Sequence, residues 1–434
     1  MLNNTALTKR RAEFMGMLCD GIAILTTSKH LTRNRDVFYP FRPDSDFFYL
    51  TAFPEPNAAA VFVPGRDKGE YLLFCREKDP EMERWDGRRA GLEGAIEQYG
   101  ADQAFPIEKL QEVLIELIPE YHNVYSQMGK DSDLDKEILS IISDLRTKSR
   151  EGTKVPANFV HLDHILHEMR LIKDSEEIRT MRKAAKLAAK GHIRAMQTTR
   201  PGMYEYQVQA ELEYVFLKGG GLSVAYPSIV AGGPNACILH YIDNNDRLND
   251  GDLLLIDAGV EVDCYASDIT RTFPVNGKFT GAQRDVYDVV LNAQVAAIDA
   301  VRVDRPVTDY HEVAVRTLAE GMIDIGLLRG DLEELIEKKT YRKFYMHLTG
   351  HWLGIDVHDV GDYKIGKQGR SLEPGMIVTV EPGLYIEPCK EVDEKWHNIG
   401  IRIEDDVLVR RNGPEVLTVD VPKNTDEIQA IMAD

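Results

Sequence analysis

Two stretches of this chain repeat one pattern, and that repeat constrains the fold more than any other feature. LNDGDLLLIDAG runs from Leu248 to Gly259, and LEPGMIVTVEPG from Leu372 to Gly383. Each reads Leu, two residues, Gly, an apolar run, then a carboxylate followed two residues later by Gly. A turn feeding a strand that ends on an acid accounts for both copies. Asp257 and Glu381 hold the same place in the two. Two unrelated edge strands that expose their acids would read the same way. If each acid instead closes a buried strand, two half-domains face each other and their carboxylates converge between them.

Further acids suit the second arrangement. Asp268, in YASDITRTF, falls on what reads as the returning strand of a hairpin begun before Asp257. In GIRIEDDVLV, Ile401 and Ile403 alternate with Arg402 and Glu404, which puts Arg402 and Glu404 on one strand face. Buried carboxylates without partners are costly, so converging acids require a cation or a proton. Histidine is concentrated in HLTGHWLGIDVHD, which holds His347, His351 and His358. A helical H-E-x-x-H zinc site does not fit, because Leu348 stands where the glutamate belongs. Gly350 and Gly354 would also interrupt such a helix at about 1 kcal/mol each.

Up to residue 165 the chain alternates strand-like runs, GIAIL, NAAAVFVPG and EYLLFC, with helical stretches at 108–121 and 135–148. That alternation predicts a small α/β domain over 1–165. SREGTKVPANF (149–159) reads as a linker, with the basic KSREGTK solvated, followed by a short helix LDHILHEMR. Asp174 and Glu177 then form a capping box at the head of an alanine-rich helix. A larger domain follows over 166–434. In it the runs DLLLIDAGVEV, MIVTVEPGLYI and IGIRIEDDVLVR alternate with amphipathic helices near 281–303 and 308–326.

The formal charge of −19, with no basic stripe to offset it, argues against a nucleic-acid partner. Five scattered cysteines without a C-x-x-C pair suggest neither a disulfide framework nor a thiolate zinc site, and fit a reducing cytoplasm. The charged N-terminus is unlike a signal peptide, and no run approaches a membrane span. The expectation is a cytoplasmic protein without a membrane partner.

Taken together, IDAG, SDITRTFPVNGKFT, the histidine stretch, VEPGLYI and GIRIEDDVLV resemble aminopeptidase P (Xaa-Pro aminopeptidase), a pita-bread metallopeptidase. DVFYPFRPDSDFFYLTAF (36–53) and RWDGRRAG (84–91) are similar to that family's N-terminal domain, so the resemblance spans essentially the whole chain. It implies an α/β N-terminal domain serving oligomerisation and substrate access. It also implies an α+β pita-bread catalytic domain with internal pseudo-two-fold symmetry. By motif, the metal ligands would be Asp257, Asp268, His351, Glu381 and Glu404, with Asp268 and Glu404 bridging two divalent ions. Four carboxylates and one imidazole make an oxygen-rich set that favours manganese over zinc, with cobalt or magnesium as alternatives.

The resemblance also assigns roles. Glu381 would move the nucleophile's proton, and His240 and His358 would stabilise the tetrahedral intermediate. His347, Tyr385, Arg402 and Trp85 would serve substrate binding, Arg402 also as a partner holding a bridging acid. Trp85 and Asp36 match residues that reach a neighbouring subunit's active site in related oligomers. Read on their own, the histidines are equally core or rim residues satisfied by neighbours, Arg402 a cross-strand ion pair, Trp352, Trp85 and Asp36 packing residues. The implied activity is a dinuclear-metal exopeptidase that releases the N-terminal residue from peptides with proline second, by attack of a hydroxide held between the ions, in a homodimer or homotetramer. A prolidase restricted to Xaa-Pro dipeptides shares the same ligands. A non-catalytic binding module on the same fold is the rival from another class.

Overall fold

The computed structural model describes residues 4–433. It divides into two compact units, one ending at Met169 and the other beginning at Arg170. The boundary expected at 165 falls inside a helix, Asp163–Leu171, within which the units part.

The first unit is a six-stranded mixed sheet. Its strands are β1 (Gly21–Thr26), β2 (Ala59–Phe62), β3 (Tyr71–Cys75), β4 (Gln103–Pro106), β5 (Asn123–Ser126) and β6 (Asn158–His161). Their spatial order is β4-β3-β2-β1-β5-β6. Strand β1 runs parallel to β5 and antiparallel to β2. The helix α1 (Ser132–Thr147) buries Leu134, Ile138, Ile141, Ile142 and Leu145, a three-and-four spacing that makes one apolar stripe. That stripe joins Ile22, Ile24, Val61, Leu72 and Phe74 in one core. The expected linker is partly a strand: its last residues form β6, parallel to β5, while Lys148, Arg150 and Lys154 are exposed.

In the second unit, α2 (Ser175–Thr198) opens on the capping box read from the sequence. Asp174 accepts from the Glu176 and Glu177 amides, and Glu177 accepts from the Asp174 amide. Next come α3 (Glu205–Lys218), β7 (Ile229–Gly232), β8 (Leu253–Asp257) and β9 (Thr270–Pro274), the strands forming an antiparallel sheet with β8 in the middle. Helices α4 (Gly281–Ala300) and α5 (Asp309–Asp324) follow. The second half supplies β10 (Ile377–Val380), β11 (Gly383–Ile386), β12 (Ile399–Arg402) and β13 (Asp405–Leu408), with β10 pairing β13 and β11 pairing β12. The two copies of the repeat therefore both feed antiparallel sheets, but β8 is a central strand and β10 an edge.

The long β-runs of the sequence do not continue as single strands. Each breaks at its acid: β8 ends on Asp257, β10 ends one residue before Glu381, and Glu404 lies between β12 and β13. At the first break Gly259 passes so close to the returning chain that a Cβ would lie 1.8 Å from the Ser267 carbonyl oxygen. At the second, Pro382 has no N–H to extend a ladder. Asp257 pairs with Thr270, so Asp268 precedes β9 rather than lying on it, a correction to the hairpin reading. Alternation along β8 sends Leu254 and Ile256 into a core with Met196, Phe216 and Val290, and Leu255 into a smaller cluster with Tyr385. Asp257 follows Leu255 on that second face.

Candidate metal and catalytic site

Strand ends from both halves of the second unit bring the acids together. Ligand atoms of Asp268, His351 and Glu404 all lie within 4.8 Å of one another. His351 Nε2 stands 3.4 Å from Asp268 Oδ2 and 3.6 Å from Glu381 Oε1. Its other nitrogen, Nδ1, is 2.9 Å from the Trp352 carbonyl, to which it donates, so Nε2 is turned to face the carboxylates. The His351 amide is anchored in turn by Thr379 Oγ1 at 3.0 Å. Gly350 makes that approach feasible, since a Cβ there would lie 1.9 Å from the Thr379 carbonyl oxygen. Asp257 joins the cluster through Tyr226, whose hydroxyl meets Asp257 Oδ1 at 2.6 Å and also Asp268 Oδ1.

Arg402 is the cation of this cluster. Its guanidinium donates to Asp257 Oδ2 at 2.6 Å, Tyr385 Oη at 2.9 Å and Thr270 Oγ1 at 3.2 Å. Thr270 Oγ1 donates to Glu404 Oε2 at 2.6 Å. Tyr385 continues the chain to His347 Nε2 at 2.9 Å, while His347 Nδ1 donates to the Leu348 carbonyl at 2.7 Å. Burial, followed by the charge of Arg402, holds the His347 imidazole down to about 4, so it is neutral at pH 7. His358 packs edge-on against His351, ring centroids 4.4 Å apart, and is exposed, as is His240. A buried ionic knot pins the loop that carries His358. Asp359 meets Arg170 at 2.6 Å and Lys173 at 2.9 Å, and Arg170 also meets Asp356 at 2.7 Å.

The motif residues of the second unit thus lie at or around one cluster. Trp85 and Asp36 belong to the first unit, where both are exposed. The sequence reading passed over Tyr226, Thr270, Thr379 and Asp406, whose carboxylate accepts the Asp268 amide at 3.2 Å. Most of them act through a partner far along the chain, although Thr379 also donates to Glu381, two positions on, at 3.3 Å.

The donor set fits divalent metal. Glu404 is pushed well above the ordinary carboxylate range by burial and then by the Asp268 and Glu381 charges. Burial likewise carries Glu381 up to about 7, against the pull of His351 and Arg402. Burial opposes charge on His351, yet Asp268 and Glu381 raise it to about 9. Four acids facing one guanidinium and one imidazole cannot all ionise without further positive charge. Tyr226 makes the same point with a single proton, which it cannot give to two carboxylate oxygens at once.

The description "Metallopeptidase family M24" matches residues 179–411, and "Aminopeptidase P, N-terminal domain" matches residues 7–125. The Xaa-Pro aminopeptidase of Escherichia coli (strain K12) is 43% identical over 428 residues, covering 98% of this chain and 96% of its own. Among solved structures, the aminopeptidase PepP of Pseudomonas aeruginosa superposes with a TM-score of 0.98 at 52% identity, covering 100% of this chain and 98% of its own. Proline aminopeptidase P II from Yersinia pestis gives 0.96 at 43% identity, covering 100% of both chains.

Proposed function

Since this chain belongs to the aminopeptidase P group of metallopeptidase family M24, we propose that it is a metallohydrolase releasing the N-terminal residue from peptides with proline second. The observation that carries this reading is the donor set, four carboxylates and the Nε2 of His351 drawn from separated strand ends. Asp257, Asp268, His351, Glu381 and Glu404 would hold two divalent ions. An oxygen-rich set of this kind suits manganese, with cobalt or magnesium as substitutes. When bound, such a pair polarises the scissile carbonyl and makes water a nucleophile at neutral pH.

The protein's own groups supply the rest. Water adds to the carbonyl carbon before proline, and Glu381 takes its proton and passes it to the departing proline nitrogen. That transfer matters because the proline imide carries no proton of its own. The C–N bond breaks and the water's second proton leaves the new carboxyl group for the freed nitrogen or solvent, giving a carboxylate on the released residue and a protonated secondary amine on the shortened peptide. His240 and His358 donate toward the oxyanion that forms on the carbonyl. Arg402 fixes Asp257 and Tyr385, and Tyr385 fixes a neutral His347 as a substrate contact. The acid-rich floor favours a free α-amino group, which gives exopeptidase action.

The test is hydrolysis by metal-stripped protein, with and without manganese, of a Xaa-Pro dipeptide and a Xaa-Pro-Yaa tripeptide. Manganese-dependent cleavage of the tripeptide is expected, and Glu404→Ala should abolish it with the fold intact. Cleavage confined to the dipeptide would make the enzyme a prolidase. No cleavage with any divalent ion would leave a binding module. We extend the reading to a homodimer or homotetramer, supported by the exposed Leu31, Val37, Phe38 and Tyr39, which one hairpin of the first unit sets side by side. A cytoplasmic setting is supported by the scatter of the five cysteines, which form no C-x-x-C pair. No helix among the described residues is long and apolar enough to cross a membrane.

A further inference from the structure

Glu205 is the first residue of α3 and is wholly buried, yet none of its partners carries a charge that would balance it. Its Oε1 accepts from the Gly232 amide at 2.8 Å and from Asn235 Nδ2 at 3.0 Å. Its Oε2 accepts from the Tyr241 hydroxyl at 2.7 Å and the Asp246 amide at 2.8 Å. All four donors are neutral. Four converging donors make a buried carboxylate tolerable, and an apolar residue there would leave all four without this acceptor. Glu205 is therefore the tie between the segments those donors come from.

The four donors show what the carboxylate joins. Gly232 ends β7, Asn235 lies in the turn after it, Tyr241 lies within a segment with no helix or strand, and Asp246 directly follows that segment. That segment, residues 238–245, carries His240 next to Tyr241. Its far end is pinned separately by Asn244, which is buried with a left-handed φ of 48°. Asn244 accepts from the Val230 amide at 3.0 Å and donates to the Ser228 carbonyl at 2.8 Å and Gln209 Oε1 at 2.9 Å. His240 itself is exposed, so its position depends on these flanking anchors rather than on packing of its ring.

The geometry points to Glu205 as the positioning residue for His240, holding the His240 segment at the rim of the acid cluster through Tyr241 and Asp246. This rests on His240 acting on substrate in the proposed reaction. Only a carboxylate offers two acceptor atoms to four donors. Glutamine would turn an NH2 toward two of them.

Glu205→Gln and Tyr241→Phe are compared with wild type as full-length, manganese-loaded enzyme on a Xaa-Pro-Yaa tripeptide, alone and combined with His240→Ala. The expected result is a fall in kcat of about 10- to 100-fold for each single variant. The manganese concentration for half-activation should stay within about twofold. Added to His240→Ala, Tyr241→Phe should cost less than about twofold more, because the two act through one group. Hydrogen exchange gives a readout that does not need activity: amides over 238–246 should open faster in both variants, while those of β8 keep their protection. Tyr241→Phe removes one hydroxyl and carries the test alone if Glu205→Gln does not fold. Independent, multiplying losses in the double variant, weakened manganese activation, or unchanged exchange over 238–246 would each overturn the assignment. A wild type that cleaves no peptide would refute the proposed function instead, and exchange over 238–246 would still judge the clamp.

Discussion

Thr270→Val isolates the hydroxyl that orients Glu404. Thr270 is fully buried, and valine replaces it with almost no change of volume. The variant loses the 2.6 Å bond to Glu404 Oε2 and the 3.2 Å bond from Arg402 Nε. In the metal-free protein burial and the Asp268 and Glu381 charges push Glu404 toward its neutral form, so the lost bond to Glu404 costs less there, about 1 kcal/mol. With metal bound, Glu404 is a carboxylate and the lost bond is charge-assisted, about 1.5–3 kcal/mol. The Arg402 bond is lost in both states and cancels, so the difference of about 0.5–2 kcal/mol should weaken the manganese Kd roughly 2- to 30-fold at about 1.4 kcal/mol per tenfold. A competition titration against a fluorescent chelator measures that Kd, and urea unfolding of the stripped protein measures the remainder. A Kd equal to or tighter than that of wild type would refute the reasoning.

Three other outcomes are expected. Manganese at about 100 times its Kd should stabilise the protein by about 2.7 kcal/mol, and a chelator should remove that gain in a thermal melt; coincident melts would argue against binding to the folded state alone. Burial opposes charge on Asp405, but Arg271 and Lys423 hold its carboxyl down to about 2 from 3.8. Because the folded value is depressed, about 2–3 kcal/mol of stability is present above pH 4 and is lost as pH falls through 2; Asp405→Asn should flatten that slope in urea titrations, and an unchanged slope would contradict it. Lys173→Met leaves Asp359 with Arg170 as its remaining ion-pair partner, which should destabilise the protein by about 1.5–3 kcal/mol; a calorimetric melting temperature equal to wild type would show the Lys173 contact to be dispensable.

The fold class was legible because the patterns that set it are local. GIAIL and EYLLFC are apolar runs bounded by turn residues, and Asp174 with Glu177 writes a helix start within four residues. The breaks in the long β-runs were less legible. Proline and glycine after Glu381 give a hint, but the break at Glu404 comes from pairing, since β12 joins β11 while β13 joins β10. The sixth strand was hidden in a polar stretch, because an edge strand half in water needs no apolar run. In the candidate site, acids and histidines stand out by type, whereas Tyr226, Thr270 and Glu205 are ordinary residues until tertiary structure sets them against a partner. Glu205 meets Tyr241, thirty-six positions away, and Thr270 meets Glu404 across 134.

Glu404, Asp405 and Asp406 form a run of three buried acids, and Val407, Leu408 and Val409 form a run of three buried aliphatics. In most strands a slip of one residue exchanges apolar for polar and is rejected at once. Here a slip against β10 would replace acid with acid and aliphatic with aliphatic at every pair but the one beside the Asp406–Val407 junction, so burial pattern distinguishes the two alignments only weakly. The discrimination falls to the reverse side of the strand. There Arg271 is fastened to the Thr270, Glu404 and Val421 carbonyls, and reaches Asp405 at 2.7 Å, while Thr418 and Lys423 meet the same carboxylate. That fixed fork accepts one side chain length at one position. The charged cluster behind the strand thus serves as a ratchet tooth, and a chain lacking it would have a misaligned, acid-lined decoy close in energy to the native pairing.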